Sequence, residues 1–201
     1  MLTIGLTGGI ASGKTTVRRV FEESGIPMLD ADALAHALIG PGGDLVEAIA
    51  ARFGAEVLAA DGGVHRQALG ARVFRDDAER RWLNRLMHPV IRRGIEAFLD
   101  AREAAGCAVA GVEAALMIET GSAARYDRVV VVHCRPEQQF ERLCGRPGMT
   151  PEEARLRLAA QMPPDEKAAR GTDVLDAATT LEATRKNAAA LARTLLRAPS
   201  G

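Results

Sequence analysis

The segments Leu2–Thr7, Ala108–Glu113 and Arg128–Cys134 are apolar almost throughout. Short runs without polar alternation predict strands buried on both faces, the pattern of a parallel sheet. Pro27–Asp30 and Asp173–Asp176 are shorter strand candidates. Helical periodicity lies between them. Val17, Val20 and Phe21 share one face of a helix over Thr16–Glu23, which Gly25 can stop. Asp76 with Glu79 three residues on forms a capping box. Pro89 suits a first helical position, before a stripe of Ile91, Ile95, Phe98 and Leu99 that ends at Gly106. Thr150 and Glu153 predict another capped start. A last helix is predicted over Thr180–Arg197, with Leu181, Ala188, Leu191 and Leu195 on one face. Strands separated by helices imply an α/β fold in three layers, α/β/α, with a mostly parallel sheet. Residues 33–105 lack strands and read as a helical insertion; residues 138–167, rich in Arg and Glu, read as a second, smaller one.

Chemistry enters at the first strand. Gly8-Gly9-Ile10-Ala11-Ser12-Gly13-Lys14-Thr15 fits G-x-x-x-x-G-K-S/T, between a strand and a helix, so a phosphate-binding loop is expected; alone it does not separate a P-loop kinase-like fold from switch GTPases, motor ATPases or transporters. Gly8 and Gly13 put no side chain in the way of inward-pointing amides, and the helix N-terminus adds positive potential. Lys14 can reach the outer phosphates of a triphosphate, and the Thr15 hydroxyl can ligate the accompanying Mg²⁺. A nucleotide triphosphate and Mg²⁺ are therefore the expected co-substrate and metal.

Two more features bear on what accepts the phosphate. Asp30-Ala31-Asp32 closes the second strand, at the sheet edge that faces the ligand crevice in doubly wound folds. A carboxylate there can take the proton of an attacking hydroxyl, or Asp32 can instead cap a helix over Ala33–Leu38. Arg142 and Arg146 lie four apart, which predicts a shared helix face able to meet phosphate charge. No D-x-x-G or N-K-x-D follows a strand, which favours a small-molecule kinase over a switch GTPase.

Composition narrows the partners. The chain of 201 residues suits one domain. Its 26 basic and 26 acidic residues give no bulk pull towards nucleic acid or a membrane surface. Aromatics at 3% leave few platforms for base stacking. Cys107, Cys134 and Cys144 have neither disulfide nor zinc spacing. With no basic leader and no long apolar run, a cytoplasmic location is expected.

In this setting the sequence resembles the dephospho-coenzyme A kinase family. The stretches that carry the likeness are Gly5–Thr16, Asp30-Ala31-Asp32, Phe53–Leu58, Asp61-Gly62 with Arg66 and Leu69, Val73-Phe74, Leu83-Asn84, His88-Pro89, Leu116–Glu119, Gln138 with Arg142 and Arg146, and Gln161. They run in family order over about four-fifths of the chain. The resemblance implies ATP-dependent phosphorylation of the ribose 3′-hydroxyl of dephospho-coenzyme A. It implies Asp32 as base, and Lys14 and Arg142 at the phosphoryl group. Gly9, Ile10, Ala11, Ser12, Gly13, Lys14, Thr15 and Thr16 would hold ATP together with Arg142 and Arg146. Asp32, Arg66 and His88 would hold the acceptor in the helical insertion, and 138–167 would be the lid. The sequence departs from the family at Ala115, where proline is usual, at Glu113, where Asp is frequent, and over Gly171–Ala177, which lacks the family's Asn near the adenine. Other P-loop kinases of nucleosides, nucleotides or sugars, and a non-catalytic nucleotide-dependent binding protein, are the alternatives.

Overall fold

The computed structural model describes residues 1–198. Five strands form one sheet: β1 (Leu2–Gly8), β2 (Met28–Asp30), β3 (Val109–Glu113), β4 (Arg128–His133) and β5 (Asp173–Asp176). Their order is β2-β3-β1-β4-β5, and the β1–β3, β1–β4 and β4–β5 pairs are parallel. Nine α-helices are described: α1 (Lys14–Glu23), α2 (Ala31–Ile39), α3 (Val46–Phe53), α4 (Arg66–Arg75), α5 (Asp77–Ala104), α6 (Pro136–Cys144), α7 (Pro151–Ala159), α8 (Pro164–Ala168) and α9 (Leu181–Arg197). The chain divides into two compact units, Asp30–Phe98 and the remainder.

In the sheet-bearing unit, the unbroken apolar runs have the predicted cause. On β4, Val130 and Val132 enter a core with Ile4, Leu6, Val17, Phe21, Ala188 and Leu195. Val129 and Val131, one residue out of step, enter a separate cluster with Met117 and Ile118. Alternate residues thus serve opposite faces, and both faces are dry. β1 is central, with β3 on one side and β4 on the other, so the chain switches direction of travel at β1. The carboxyl end of such a strand opens on a ligand crevice.

The unit Asp30–Phe98 has its own core: Leu38, Ile39, Leu45, Ile49, Phe53, Val57, Val64 and Leu69, with Trp82, Leu86 and Met87 packed against it. Phe53 and Trp82 meet edge to face at 5.5 Å.

Three local expectations are corrected. Pro89 does not start a helix: α5 runs through it from Asp77 to Ala104. Asp76 does cap that helix, accepting from Ala78 N at 2.7 Å and Glu79 N at 3.2 Å. Leu181 is 66% exposed, and the buried side of α9 is Thr184, Ala188, Ala192 and Leu195. Arg146 lies beyond α6, which ends at Cys144, so it shares no helix face with Arg142.

Candidate active site

The turn from β1 into α1 is built from residues that only this conformation requires. Gly8 has φ +155°, and a Cβ there would sit 2.5 Å from the Val132 carbonyl oxygen and 2.7 Å from Ser12 Oγ. Ala11, at φ +59°, is the one non-glycine residue with positive φ among the described residues. Such a conformation is strained and survives only where neighbours enforce it. Gly13 caps α1 at φ +105° with no side-chain cap and no acid in the first turn. The first amides of α1 have no intrahelical acceptor, which makes that end an anion receptor. Thr15, the second residue of α1, is exposed.

Its own lysine and side chains from elsewhere hold this loop. Lys14 Nζ donates to Gly8 O at 3.0 Å and Gly9 O at 3.1 Å. Arg142 donates to Ala11 O and Ser12 O, each at 3.2 Å, and to Ala177 O at 2.8 Å. It thus ties the loop to the turn that precedes α9. Gln161 Oε1 accepts from Ile10 N at 2.7 Å. The Gln139 side-chain amide is buried against Gly9, where a Cβ would collide with it. Arg18 on α1 pairs with buried Glu113 at the end of β3, Nε to Oε2 at 2.8 Å. Burial pushes the Cys134 thiol up, and the positive charges of Arg142 and Lys14 work against that shift.

The expected acceptor residues lie in the other unit. Asp30, not Asp32, is the cap of α2, because the helix starts at Ala31: its Oδ1 accepts from Ala33 N at 2.8 Å. Asp32 is exposed in the first turn of that helix. Arg66 is the exposed first residue of α4, whose cap is His65 Nδ1, accepting from Ala68 N at 3.1 Å. His88 lines an open recess of about 470 Å³ with Arg81, Asn84, Arg85 and Pro89. The spacing 81, 84, 85, 88 puts all four polar side chains on one side of α5. Pro89 has no N–H, so the Arg85 carbonyl beside the recess lacks its usual helical donor.

One element escaped the sequence. Lys167, fully buried, places Nζ 2.8 Å from Glu119 Oε1 and 2.8 Å from the Ala115 carbonyl oxygen. Ala115 O also accepts from Thr7 Oγ1 at 3.3 Å. The available signal was composition: Lys167 is one of three lysines in a chain whose other cations are all arginine or histidine.

A parallel sheet with this loop after its central strand defines a P-loop nucleotide-binding fold. The crystal structure of TT1252 from Thermus thermophilus superposes with TM-score 0.82 at 32% identity, covering 99% of this chain and 98% of that one. A dephospho-CoA kinase from Campylobacter jejuni shares the fold, with TM-score 0.72 at 23% identity and 96% coverage of each chain. A family model described as dephospho-CoA kinase matches residues 2–183. The dephospho-CoA kinase of Geobacter sulfurreducens is 46% identical over 176 residues, 88% of this chain and 89% of that relative. The chain belongs to the dephospho-CoA kinase family, ATP-dependent enzymes that phosphorylate an alcohol group of dephospho-CoA in coenzyme A biosynthesis. Among the described residues no helix is long and apolar enough to cross a membrane.

Proposed function

We propose that this protein transfers the γ-phosphoryl group of ATP to the 3′-hydroxyl of the dephospho-CoA ribose, giving coenzyme A and ADP, in the cytoplasm. The observation that carries the assignment of roles is the division of labour between Asp30 and Asp32. Asp30 supplies the helix cap, so that structural duty does not fall to Asp32. Asp32 then takes the proton of the attacking hydroxyl as the oxygen bonds to phosphorus. The loop amides and Lys14 hold the β- and γ-phosphates, with residues Gly9–Thr16 forming the ATP site. Phosphoryl transfer needs little covalent help from protein, so holding and charge neutralisation supply most of the rate.

The Thr15 hydroxyl, exposed one residue into α1, fits Mg²⁺ as its single protein ligand, since this ion keeps most of its waters and binds chiefly through substrate phosphates. Bound there, Mg²⁺ neutralises phosphate charge. Arg142 and Arg146 are assigned to ATP. Arg142, now on three carbonyl oxygens, acts on the transferred group by releasing one of them. Residues 138–167 serve as the lid. Arg66 and His88 hold the acceptor. The recess of Arg81, Asn84, Arg85 and His88 suits its diphosphate, because two arginines offer forked donors to phosphate oxygens.

ATP consumption with dephospho-CoA, set against nucleoside monophosphates and sugars, tests this. Turnover with dephospho-CoA alone is expected. Turnover only with another acceptor moves the protein to a different kinase activity, and ATP binding without turnover on any acceptor makes it a binding protein.

A further inference from the structure

Ala11 carries the one positive φ outside glycine among the described residues, and the groups on either side of it are gripped by distant side chains. On its C-terminal side, Arg142 holds the carbonyls of Ala11 and Ser12 at 3.2 Å. On its N-terminal side, Gln161 holds the Ile10 amide at 2.7 Å. Within the turn, Gly8 O and Gly9 O accept from Lys14, and Ser12 N donates to Gly9 O at 3.2 Å. A strained residue persists only while its surroundings over-determine it. The Ile10 amide is held by one bond from outside the loop, and Gln161 makes it.

Gln161 is itself fixed. Its own amide donates to Leu158 O at 3.1 Å, and the next amide, Met162 N, donates to Glu119 Oε1 at 3.3 Å. That same carboxylate oxygen is 2.8 Å from the buried Lys167 ammonium. An ion pair whose ammonium is fully buried, with two further anchors, is rigid in a way a surface glutamine is not. The bond to Ile10 takes one loop amide and none of the first amides of α1, which begins at Lys14.

We propose that Gln161 is a positioning residue that preorganises the phosphate loop by holding Ile10 against the strain at Ala11, from a seat fixed by the Lys167–Glu119 pair. The proposal rests on the nucleotide site described above. It assigns Gln161 to ATP affinity, not to the acceptor. A side chain that merely blocked the loop would have the opposite effect on ATP.

The full-length chain with Gln161→Met, which keeps length and removes the acceptor oxygen, tests it. ATP binding is expected to weaken about threefold to tenfold, the worth of one hydrogen bond. KM for ATP should rise by a similar factor, with KM for dephospho-CoA unchanged and kcat within about twofold. The Ile10 amide proton should exchange faster in the nucleotide-free variant, and Gln161→Glu, which keeps the acceptor, should restore slow exchange. Unchanged or tighter ATP binding in Gln161→Met, with normal binding by the unmodified protein, would overturn the role of Gln161 alone. Absence of ATP binding by the unmodified protein would overturn the nucleotide site and this proposal together.

Discussion

Replacing Lys167 by Met removes a fully buried ammonium and leaves Glu119 without its cation. Breaking a buried pair from one side costs about 3–5 kcal/mol. Two features of this site set the value within that range. The Glu119 side chain keeps 22% exposure, so water recovers part of the lost interaction. The Ala115 carbonyl keeps its bond from Thr7 Oγ1 at 3.3 Å and is not orphaned. The expected loss is therefore at the lower end, about 3 kcal/mol, or about 6–12 °C in Tm for a chain of this length. That is a large share of a total stability of about 5–15 kcal/mol. Glu119→Gln strands the cation in a site with no solvent at all and should cost at least as much. The double variant removes both charges at nearly constant volume and should be more stable than either single one, which requires a coupling of about 3 kcal/mol or more. Urea and thermal unfolding followed by far-UV circular dichroism measure all four proteins. A Lys167→Met loss below about 1 kcal/mol, or additive losses in the double variant, would refute the argument.

Lys14→Ala should abolish turnover measured by ADP release. Asp32→Asn should lower kcat while ATP still binds by calorimetry, and near-normal kcat removes Asp32 from the reaction. Gly8→Ala forces a Cβ into the Val132 carbonyl at an unfavourable φ and should cost about 2–5 kcal/mol of stability, read from urea unfolding. The Asp127 carboxyl is held below its ordinary range by side-chain and backbone hydrogen bonds from Thr3. A lowered folded-state value means its stabilisation is complete above the unfolded carboxylate pKa, about 3.9, and is lost as pH falls through the folded value. Asp127→Asn should therefore narrow its stability gap from the parent protein as the pH of urea titrations is lowered below about 4.

The site was legible where its signals are local. The β1 loop is contiguous, and its glycines stand at positions whose φ or spacing admits nothing larger. Thr150 with Glu153, Thr180 and Asp76 act as caps, since a cap and its amide are three residues apart. The acids at 30 and 32 show the limit of that rule. Either can cap, and the choice turns on α2 starting at Ala31, one register step that no propensity fixes. Pro89 failed as a start signal because α5 is held from both sides of it by packing, including Trp82, Leu86, Val90 and Ile91 against the Asp30–Phe98 core. Arg142 was visible as a phosphate-facing candidate, but not its three carbonyl partners at sequence separations of 35, 130 and 131. Gln161 and Ile10 are 151 residues apart, and Lys167 and Ala115 are 52 apart. Neither pair leaves a spacing that periodicity can detect.

Incubation of the purified protein with ATP, Mg²⁺ and dephospho-CoA, with the product read by ³¹P NMR, bears most directly on the proposed reaction. A new phosphomonoester at the ribose 3′ position, formed together with ADP, is the expected result. A dephospho-CoA spectrum unchanged while ATP is spent on some other alcohol would contradict it.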